Sequence, residues 1–391
     1  MRILFYCLTF YPENSGYSNA FQNLVKAITN YYPEVQIDLV TPNNLGDKAE
    51  FSAPNVNVIR LNYKLTKNKL GFFLNSYLFA KQFNQLFLKQ NYDLAFVETF
   101  EDYVFLSNLH RNVYKKLLVR VHSTFETEYM VYFPNFKYKL GKYILKNFVF
   151  NKVKYVASTN NFHIDFIKTH YLDNNLYHIA HKGYFTLPNT MPMVAGDTQG
   201  DSIPVGKLKF FTLGRMDEGG YLQKGFDDLL NALILIKDKV RDKIEVKIVG
   251  KGDYQAKLKS KAKENNLSFI QFIDGFTHHE TLEQLIASDV VILPSRYEGL
   301  SMFALEAIAT SNAVLFSNTG GLIDLVENNG FLFEPQNVED MACKIEKLVF
   351  SSPVALAEMK RNSVNVFTAK FSEKATADKF YNILKIVKAD N

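Results

Sequence analysis

The sequence predicts an α/β fold with two doubly wound, Rossmann-like domains facing a central cleft. Short runs rich in β-branched and aromatic residues alternate with segments of helical hydrophobic spacing, which is typical of parallel βαβ units. A segment rich in proline and glycine, 186–207, interrupts this alternation and predicts a linker. The length of 391 residues suits two domains. Such sheets bind ligands beyond the carboxyl ends of their strands, so functional residues are expected there.

The individual elements are predicted from the spacing of apolar residues. In the first domain, 1–185, strands are predicted at 2–8, 36–41, 56–61, 94–98, 117–122 and 155–158. In the second domain, 208–371, strands are predicted at 209–213, 245–249, 270–272, 290–294 and 313–317, and helices at 225–236, 254–264, 280–288, 302–310 and 338–350. The first strand is a nearly continuous apolar run, as expected for a strand buried on both faces of a parallel sheet. The segment from 372 onwards again has helical spacing.

Charge is distributed unevenly along the chain. Residues 1–185 contain 21 Lys and Arg against 13 Asp and Glu, a net charge of +8, whereas the remainder carries −3. Two stretches of this basic half, 51–92 and 129–164, contain no acidic residue and interleave lysines with Phe and Tyr. They suit contact with an anionic membrane, stacking of nucleic-acid bases, or amphipathic helices with a solvated Lys face. Nucleic acid is the least favoured partner, because no known nucleic-acid module is present and Lys far outnumbers Arg there.

Two acidic residues in the second half mark a candidate site. The segment 293–307 places a strand, a polar turn and an apolar helix in succession, with Glu298 in the turn and Glu306 one turn into the helix. At 1.5 Å per residue their separation reaches roughly 12 Å, which suits two separate contacts along a nucleotide sugar. Between them, the helix N-terminus at Gly299, Leu300 and Ser301 offers N–H groups and a dipole that favour a diphosphate. A local cap or salt bridge is the alternative role for either acid.

Two cations and several glycines converge on the same predicted sheet edge. Arg215 follows a strand and Lys224 precedes a helix, so both are placed to hold a pyrophosphate and to stabilise its charge as a leaving group. The alternative is that both are solvated surface cations. Glycines near the ends of strands let the backbone approach a ligand closely or offer N–H donors to it. These glycines are Gly214, Gly250, Gly252, Gly320 and Gly321.

Six spaced motifs between 208 and 350 carry a resemblance to a known family. They are Gly214-Arg215, Lys224-Gly225, Val249-Gly250-Lys251-Gly252, Pro294-Ser295-Arg296-Tyr297-Glu298-Gly299, Glu306-Ala307 and Gly320-Gly321. In this order they resemble the retaining glycosyltransferases of family 4, also called glycosyl transferases group 1, which have the GT-B fold. The resemblance implies that Arg215 and Lys224 hold the donor diphosphate, that Glu298 faces the donor sugar, and that Glu306 binds the ribose hydroxyls.

The first half resembles the same family more loosely. Its first loop contains one glycine, Gly16, where the family usually has two, and Gly16 is assigned to the donor site. His122, at the end of a predicted strand, resembles the family's active-site histidine, and a purely structural histidine is the alternative. The resemblance also implies that the final helix, 372–391, packs on the first domain and completes it.

The hypothesis is a retaining, metal-independent transferase that moves a hexose or hexosamine from a nucleoside-diphosphate sugar, such as a UDP-sugar, to a glycan or lipid-linked glycan in cell-surface polysaccharide synthesis. Front-face displacement is implied, in which Glu298 and His122 position the sugar and the leaving phosphate takes the acceptor proton. No Asp-x-Asp sequence occurs, so no metal and no other cofactor is expected. Two alternatives stay open: a GT-B-like nucleotide-sugar epimerase, and a non-enzymatic nucleotide-sugar-binding or glycan-binding subunit of an assembly complex.

The sequence composition indicates in which cellular compartment the protein is located. Two cysteines at opposite ends of the chain argue against a zinc site and against a disulfide framework. No run of about 18 apolar residues predicts a membrane-spanning helix, and the apolar stretch 3–11 is not followed by a signal-cleavage site. We therefore expect a cytoplasmic protein, located at the inner face of the cytoplasmic membrane if 51–92 and 129–164 contact lipid.

Overall fold

The computed structural model describes residues 1–13, 15–46, 48–61, 69–98, 102–124, 136–171, 183–193 and 206–390. The chain divides into two compact units. Unit 1 consists of Met1–Pro192 and Glu373–Asn391, and unit 2 of Met193–Ser372. Each unit is built on one parallel sheet, so the predicted fold of two Rossmann-like α/β domains is confirmed.

The described residues of unit 1 form seven parallel strands. They are β1 (Arg2–Tyr6), β2 (Gln36–Pro42), β3 (Val56–Leu61), β4 (Leu94–Val97), β5 (Leu117–Val121), β6 (Tyr155–Ser158) and β7 (Gly183–Thr186). Their order in the sheet is β3-β2-β1-β4-β5-β6-β7. The direction of winding therefore reverses between β1 and β4, and such a switch point is where doubly wound sheets place their ligands.

Helices cover both faces of this sheet. They are α1 (Gly16–Tyr31), α2 (Lys69–Lys89), α3 (Tyr103–Ser107), α4 (Arg111–Lys115), α5 (Phe136–Ile144), which continues as a π-helical turn (Leu145–Val149), and α6 (Asn161–His170). Apolar residues of α2, α3, α4, α6 and the π-helical turn pack on one face, whereas α1 packs on the other. The central strands β1, β4, β5 and β6 are buried almost throughout because both of their faces are covered, whereas the edge strands β3 and β7 are only partly buried.

In the part of unit 2 that the structure describes, six parallel strands lie in the order β10-β9-β8-β11-β12-β13. The strands are β8 (Leu208–Leu213), β9 (Ile244–Val249), β10 (Ile270–Ile273), β11 (Val290–Leu293), β12 (Ala313–Ser317) and β13 (Gly330–Phe333). The helices are α7 (Glu218–Lys224), α8 (Phe226–Val240), α9 (Gln255–Glu264), α10 (His278–Ile286), α11 (Met302–Ala309), a 3-10 helix (Gly320–Leu325), α12 (Val338–Val349) and α13 (Pro353–Lys370). The switch point here lies between β8 and β11, which are paired.

The last helix, α14 (Glu373–Ala389), belongs to unit 1. Its apolar side chains enter the same cluster as α1, where Phe380 contacts the rings of Phe5 and Phe96 at centroid distances of 5.8 and 5.7 Å. Tyr381 stacks on Tyr32 at 3.9 Å. The chain therefore returns from unit 2 to complete the hydrophobic core of unit 1.

Candidate functional site

The carboxyl ends of β8 and β11 define the switch point of unit 2. Gly214 and Arg215 follow β8 directly, and the loop 294–298 follows β11. Glu298 therefore lies beyond the strand end, as predicted from the sequence. The two loops come from neighbouring strands, so their side chains share one sheet edge.

Lys224 and Glu298 form an ion pair at this edge. Lys224 Nζ donates to Glu298 Oε2 at 2.6 Å, and Ser295 Oγ donates to the same oxygen at 3.2 Å. The Lys224 and Glu298 side chains are only 16% and 11% exposed, so solvent screens their interaction less than that of a surface pair. The sequence predicted both residues for the site, and the structure brings them into direct contact.

A glycine turn brings Lys224 to this position. Lys224 ends α7, and Gly225 after it is left-handed, with φ of 63°. A Cβ atom at Gly225 would lie 2.0 Å from the carbonyl oxygen of Pro294, in the loop that carries Glu298. Only glycine allows this approach, so Gly225 couples the end of α7 to the loop after β11.

Arg296 fixes the same loop from the other side. Its guanidinium donates two hydrogen bonds to the Asp228 carboxylate, at 2.8 and 2.9 Å, and its backbone N–H donates to Gln223 O at 2.8 Å. Bidentate pairs of this kind are geometrically specific. The sequence motif contained Arg296 without a role, and the structure gives it the role of anchoring the loop to α8.

Arg215 is placed differently from Lys224. Its side chain is 66% exposed, and its ion pair is with Asp217 at 3.3 Å, not with Glu298. Asp217 also caps α7 by accepting from the N–H of Gly220 at 2.7 Å. Arg215 thus shares the sheet edge with Lys224 but does not join the Lys224–Glu298 pair.

Glu306 forms a second, separate polar contact. Ser301 caps α11 by accepting from the N–H of Ala304, and Glu306 follows one turn into the helix, as predicted. Glu306 Oε1 lies 3.0 Å from His278 Nε2 at the start of α10. Burial raises the pKa of Glu306 above its ordinary value, and His278 opposes that shift. Glu298 and Glu306 therefore have different partners, in keeping with two contacts rather than a shared acid–base pair.

The predicted glycines make close backbone contacts within the protein. A Cβ atom on Gly250 would lie 1.9 Å from Gly214 O, and one on Gly252 would lie 2.1 Å from the backbone N of Asp217. Gly320 is left-handed, with φ of 51°, and its Cβ would lie 1.7 Å from Glu298 O. The N–H of Gly321 donates to Gly299 O at 2.7 Å, so it serves the loop itself. These glycines let the loops pack on one another at the sheet edge.

The candidate residues of unit 1 follow the carboxyl ends of strands in the sheet of that unit. His122 follows β5, and its Nε2 lies 2.5 Å from Glu98 Oε1. Arg120 donates to the same Glu98 oxygen, also at 2.5 Å. Burial acts to raise the pKa of Glu98, but Arg120 and His122 together bring it below its ordinary value. Gly16 begins α1, and a Cβ atom there would meet nothing within 4 Å, so no close approach requires a glycine.

Residues 199–384 match the family model described as Glycosyl transferases group 1. This segment is a glycosyl transferases group 1 domain. An uncharacterized glycosyltransferase of Methanocaldococcus jannaschii is 31% identical over 130 residues, which cover 32% of this chain and 33% of that protein. The glycogen synthase of Mycobacterium tuberculosis is 28% identical over 175 residues, covering 44% of this chain and 41% of that protein. The matches thus span a third to two fifths of these curated relatives.

Solved structures resemble the chain along nearly its whole length. The sucrose-phosphate synthase from Thermosynechococcus elongatus has a TM-score of 0.74 at 19% identity and covers 100% of both chains. Anabaena HepE, solved in complex with UDP and glucose, has a TM-score of 0.67 at 15% identity and covers 99% of this chain and 100% of its own. At these identities the likeness concerns the fold, which is of the GT-B type with two Rossmann-like domains.

The group 1 domain contains all the predicted site residues except Gly16 and His122. Sequence reasoning missed His278, the partner of Glu306, and Asp228, the anchor of Arg296. It also missed Glu98, the partner of His122, although Glu98 ends a predicted strand beside the one that ends in His122. Among the residues that the structure describes, no group of three or more His, Cys, Asp or Glu side chains is arranged to hold a metal ion.

Proposed function

We propose that the protein is a retaining, metal-independent glycosyltransferase. It moves a hexose or hexosamine from a nucleoside-diphosphate sugar to a glycan or lipid-linked glycan acceptor, in the cytoplasm and for cell-surface polysaccharide synthesis. The observation that carries the proposal is the Lys224–Glu298 pair at the switch point of a group 1 domain, with Arg215 on the neighbouring loop. UDP is the favoured nucleotide, because a solved protein of the same fold holds UDP and glucose.

Lys224 and Arg215 bind the diphosphate in this proposal. Lys224 carries three N–H donors, so it is able to contact phosphate oxygens as well as Glu298. Arg215 is largely exposed and offers a planar guanidinium suited to phosphate. Their positive charges offset the negative charge that grows on the leaving diphosphate, which lowers the barrier to transfer.

Glu298 and His122 position the transferred sugar. The bond between the anomeric carbon and the phosphate oxygen breaks while the acceptor oxygen attacks from the same face. The acceptor proton passes to the leaving phosphate oxygen, so no covalent sugar–enzyme bond forms. The Glu298 carboxylate, paired with Lys224, stabilises positive charge that develops on the sugar ring.

Glu306 receives the ribose hydroxyls. A carboxylate accepts hydrogen bonds, so Glu306 is suited to both hydroxyls of a ribose ring. His278 contacts one oxygen of Glu306, so a bound nucleotide either shares the carboxylate with His278 or displaces His278 from it. The helix N-terminus at Gly299, Leu300 and Ser301 adds a favourable dipole toward the diphosphate.

We also propose that unit 1 contacts an anionic membrane, where a lipid-linked acceptor resides. The helical segments 69–89, 103–116 and 136–149 contain no acidic residue. They nevertheless expose large apolar side chains, namely Phe73, Leu74, Tyr77, Leu88, Phe136, Tyr143 and Phe148. The buried residues of these segments belong to one hydrophobic cluster, so the segments cover the same face of the sheet. Lysines attract anionic headgroups, and interfacial aromatic rings insert among them. No helix of the described residues is long and apolar enough to cross a membrane.

Thermal unfolding with a panel of UDP, GDP, ADP, CMP, dTDP and their sugar conjugates tests the donor site. A ligand at 100 times its Kd adds about 2.7 kcal/mol of stability, so one nucleoside diphosphate should raise the Tm clearly. The rise should be lost in Lys224→Ala and Glu306→Ala and kept in Lys239→Ala, an exposed lysine of the same unit. An equal rise in Lys224→Ala would overturn the site.

Transfer itself is tested with the nucleotide sugar that binds. NMR of the product with a glycan acceptor should show the anomeric configuration of the donor, as retention requires. Release of an isomerised sugar without any acceptor would instead favour an epimerase. Nucleotide-sugar binding without turnover on any acceptor would favour the binding subunit.

A further inference from the structure

A buried ion pair lies at the carboxyl ends of β4 and β5 in unit 1. Glu98 and Arg120 are both 0% exposed and are joined at 2.5 Å. They sit one position beyond the backbone pair Val97 and Val119, so they face each other across neighbouring strands. A fully buried ion pair seldom stabilises a fold more than apolar residues of similar size would. Its presence at a ligand-binding edge therefore suggests a purpose besides stability.

His122 is the third member of this group. It lies two residues after Arg120, on the same side of the strand, and its Nε2 meets the Glu98 oxygen that Arg120 also contacts. The His122 side chain is 18% exposed, whereas the two residues behind it are not exposed at all. Glu98 thus connects a buried cation to an imidazole that reaches the surface of the sheet edge.

Arg120 is itself firmly held. Its Nε donates to Leu187 O and its Nη2 to Asn189 Oδ1, both at 2.9 Å, in the segment that follows β7. The remaining Glu98 oxygen, Oε2, is buried and accepts no hydrogen bond from any residue that the structure describes. The carboxylate is therefore oriented almost entirely by its contacts with Arg120 and His122, and Arg120 is the fixed partner of the two.

We infer that Glu98 is a positioning residue for His122, with Arg120 as its anchor. A carboxylate only accepts hydrogen bonds, so the imidazole nitrogen that faces it must carry the proton. Glu98 thereby fixes Nε2 as a protonated nitrogen and holds that nitrogen toward β4. The inference rests on the proposed function, in which His122 contacts the transferred sugar, and it gives a reason for a buried Glu–Arg pair behind that histidine.

Histidine NMR tests the positioning without any activity assay. In protein labelled with 15N-histidine, the His122 signals are identified by their loss in His122→Asn. We expect wild-type Nε2 to be protonated. In the double variant Glu98→Leu with Arg120→Met, which removes both buried charges, the two ring nitrogens should shift toward the averaged values of a free imidazole. Asp165→Leu with Lys168→Met removes an exposed pair of the same unit and should leave the signals in place. Unchanged His122 signals in the Glu98–Arg120 double variant would overturn the inference.

A mutant cycle tests whether the positioning matters for transfer. Glu98→Gln should lower kcat by about 10–100-fold with little change in donor KM, because a misplaced contact group slows the chemical step. In a His122→Ala background, Glu98→Gln should cause no further loss, since Glu98 acts through His122. A further loss of similar size would show a general structural role and overturn the inference. If no transfer is found at all, the proposed function fails, while the NMR result still decides the positioning of His122.

Discussion

Lys224 and Glu298 neutralise each other where the proposed donor binds. Glu298 opposes diphosphate binding, because both groups are anionic and share the Lys224 ammonium, whose Nζ already lies 2.6 Å from Glu298 Oε2. Glu298 therefore weakens nucleotide binding in the ground state while it aids the sugar in the transition state. Binding and turnover should respond in opposite directions when its charge is removed.

Glu298→Gln separates these two effects. We expect UDP to bind several-fold, up to about tenfold, more tightly, since the ammonium is released from a carboxylate, and turnover to fall by about 100-fold or more. Calorimetry with UDP and a steady-state transfer assay measure the two quantities. Ser295→Ala keeps the carboxylate and serves as the matched control, with UDP affinity close to wild type. Weaker UDP binding in Glu298→Gln would contradict the competition.

Glu306 should make nucleotide-sugar binding depend on pH. Burial raises the pKa of Glu306, so the carboxylate becomes protonated at a higher pH than an ordinary glutamate. Below that raised pKa the residue no longer accepts two ribose hydrogen bonds, and affinity for UDP-glucose should fall as the pH is lowered through it. UDP-glucose is chosen because its diphosphate diester does not titrate in this range. Glu306→Gln should bind weakly at every pH, and a pH profile identical to wild type would exclude the role.

The raised pKa of Glu306 also makes the stability of the folded protein depend on pH. The folded state of Glu306 holds its proton more tightly than the unfolded state, so its contribution to the free energy of unfolding declines as the pH rises from the ordinary pKa to the raised one. Glu306→Gln removes that decline. The free energy of unfolding of Glu306→Gln minus that of wild type, measured by urea unfolding, should therefore be more positive at pH 7 than at pH 4. A difference that is constant between these pH values would contradict the assignment.

At the element scale, the loops at the carboxyl ends of the unit 2 strands pack closely on one another at positions occupied by glycine. Gly225 and Gly320 are left-handed and contact the backbone of the 294–298 loop from two sides. Both contacts join backbone atoms of the protein, so the protein itself holds the Glu298 loop in its conformation. Such preorganisation reduces the cost of binding and of reaching the transition state.

Gly225→Ala should disrupt this arrangement. The new Cβ would lie 2.0 Å from Pro294 O and would occupy a left-handed conformation, so we expect a loss of at least about 1–2 kcal/mol of stability and a large loss of turnover. Gly275→Ala is the matched control in the same unit, because a Cβ there meets nothing within 4 Å, and it should behave as wild type. Thermal unfolding and donor turnover measure both variants. A fully active Gly225→Ala would show that the turn does not position Lys224.

Elements with a strong hydrophobic pattern could be predicted from the sequence, and those without one could not. Strands such as β2, β6 and β12 are short buried runs, and their bounds were predicted within one residue. The helix α7 was missed because it contains Gly219 and Gly220. The helix α13 was missed because two of its buried positions are the polar residues Lys360 and Ser363, which obscures its apolar pattern. Contacts such as Glu98 with His122 or Glu306 with His278 join residues 24 and 28 positions apart, and nothing local in the sequence signals them.

At the scale of the whole molecule, the two units differ in the surface they present. Helices α2 to α5 and the π-helical turn, over one face of unit 1, carry lysines and exposed aromatic rings without an acidic residue, whereas the 186–391 half of the chain carries a net charge of −3. The composition alone allowed these stretches to be ordinary amphipathic helices. The apolar residues on the inner sides of these helices do pack in the core. However, Phe136 is 78% exposed and Tyr143 is 59% exposed, whereas an ordinary amphipathic helix would expose its lysines and bury its aromatic rings.

Vesicle binding tests the proposed membrane surface. We expect the protein to sediment with vesicles that contain anionic phospholipid, and salt should weaken this binding because screening reduces the attraction. Lys139→Gln with Lys146→Gln should weaken it by roughly 30-fold, at about 1 kcal/mol per lysine, and Phe136→Ser with Tyr143→Ser should weaken it as well. Phe350→Ser with Val354→Ser removes comparably exposed apolar side chains from unit 2 and should have no effect. UDP affinity should stay at the wild-type value in all three double variants, since the donor residues are unchanged. Two results would contradict the proposed membrane surface. One is equal sedimentation of the unit 1 variants and the unit 2 control, and the other is equal binding of the wild-type protein to neutral and anionic vesicles.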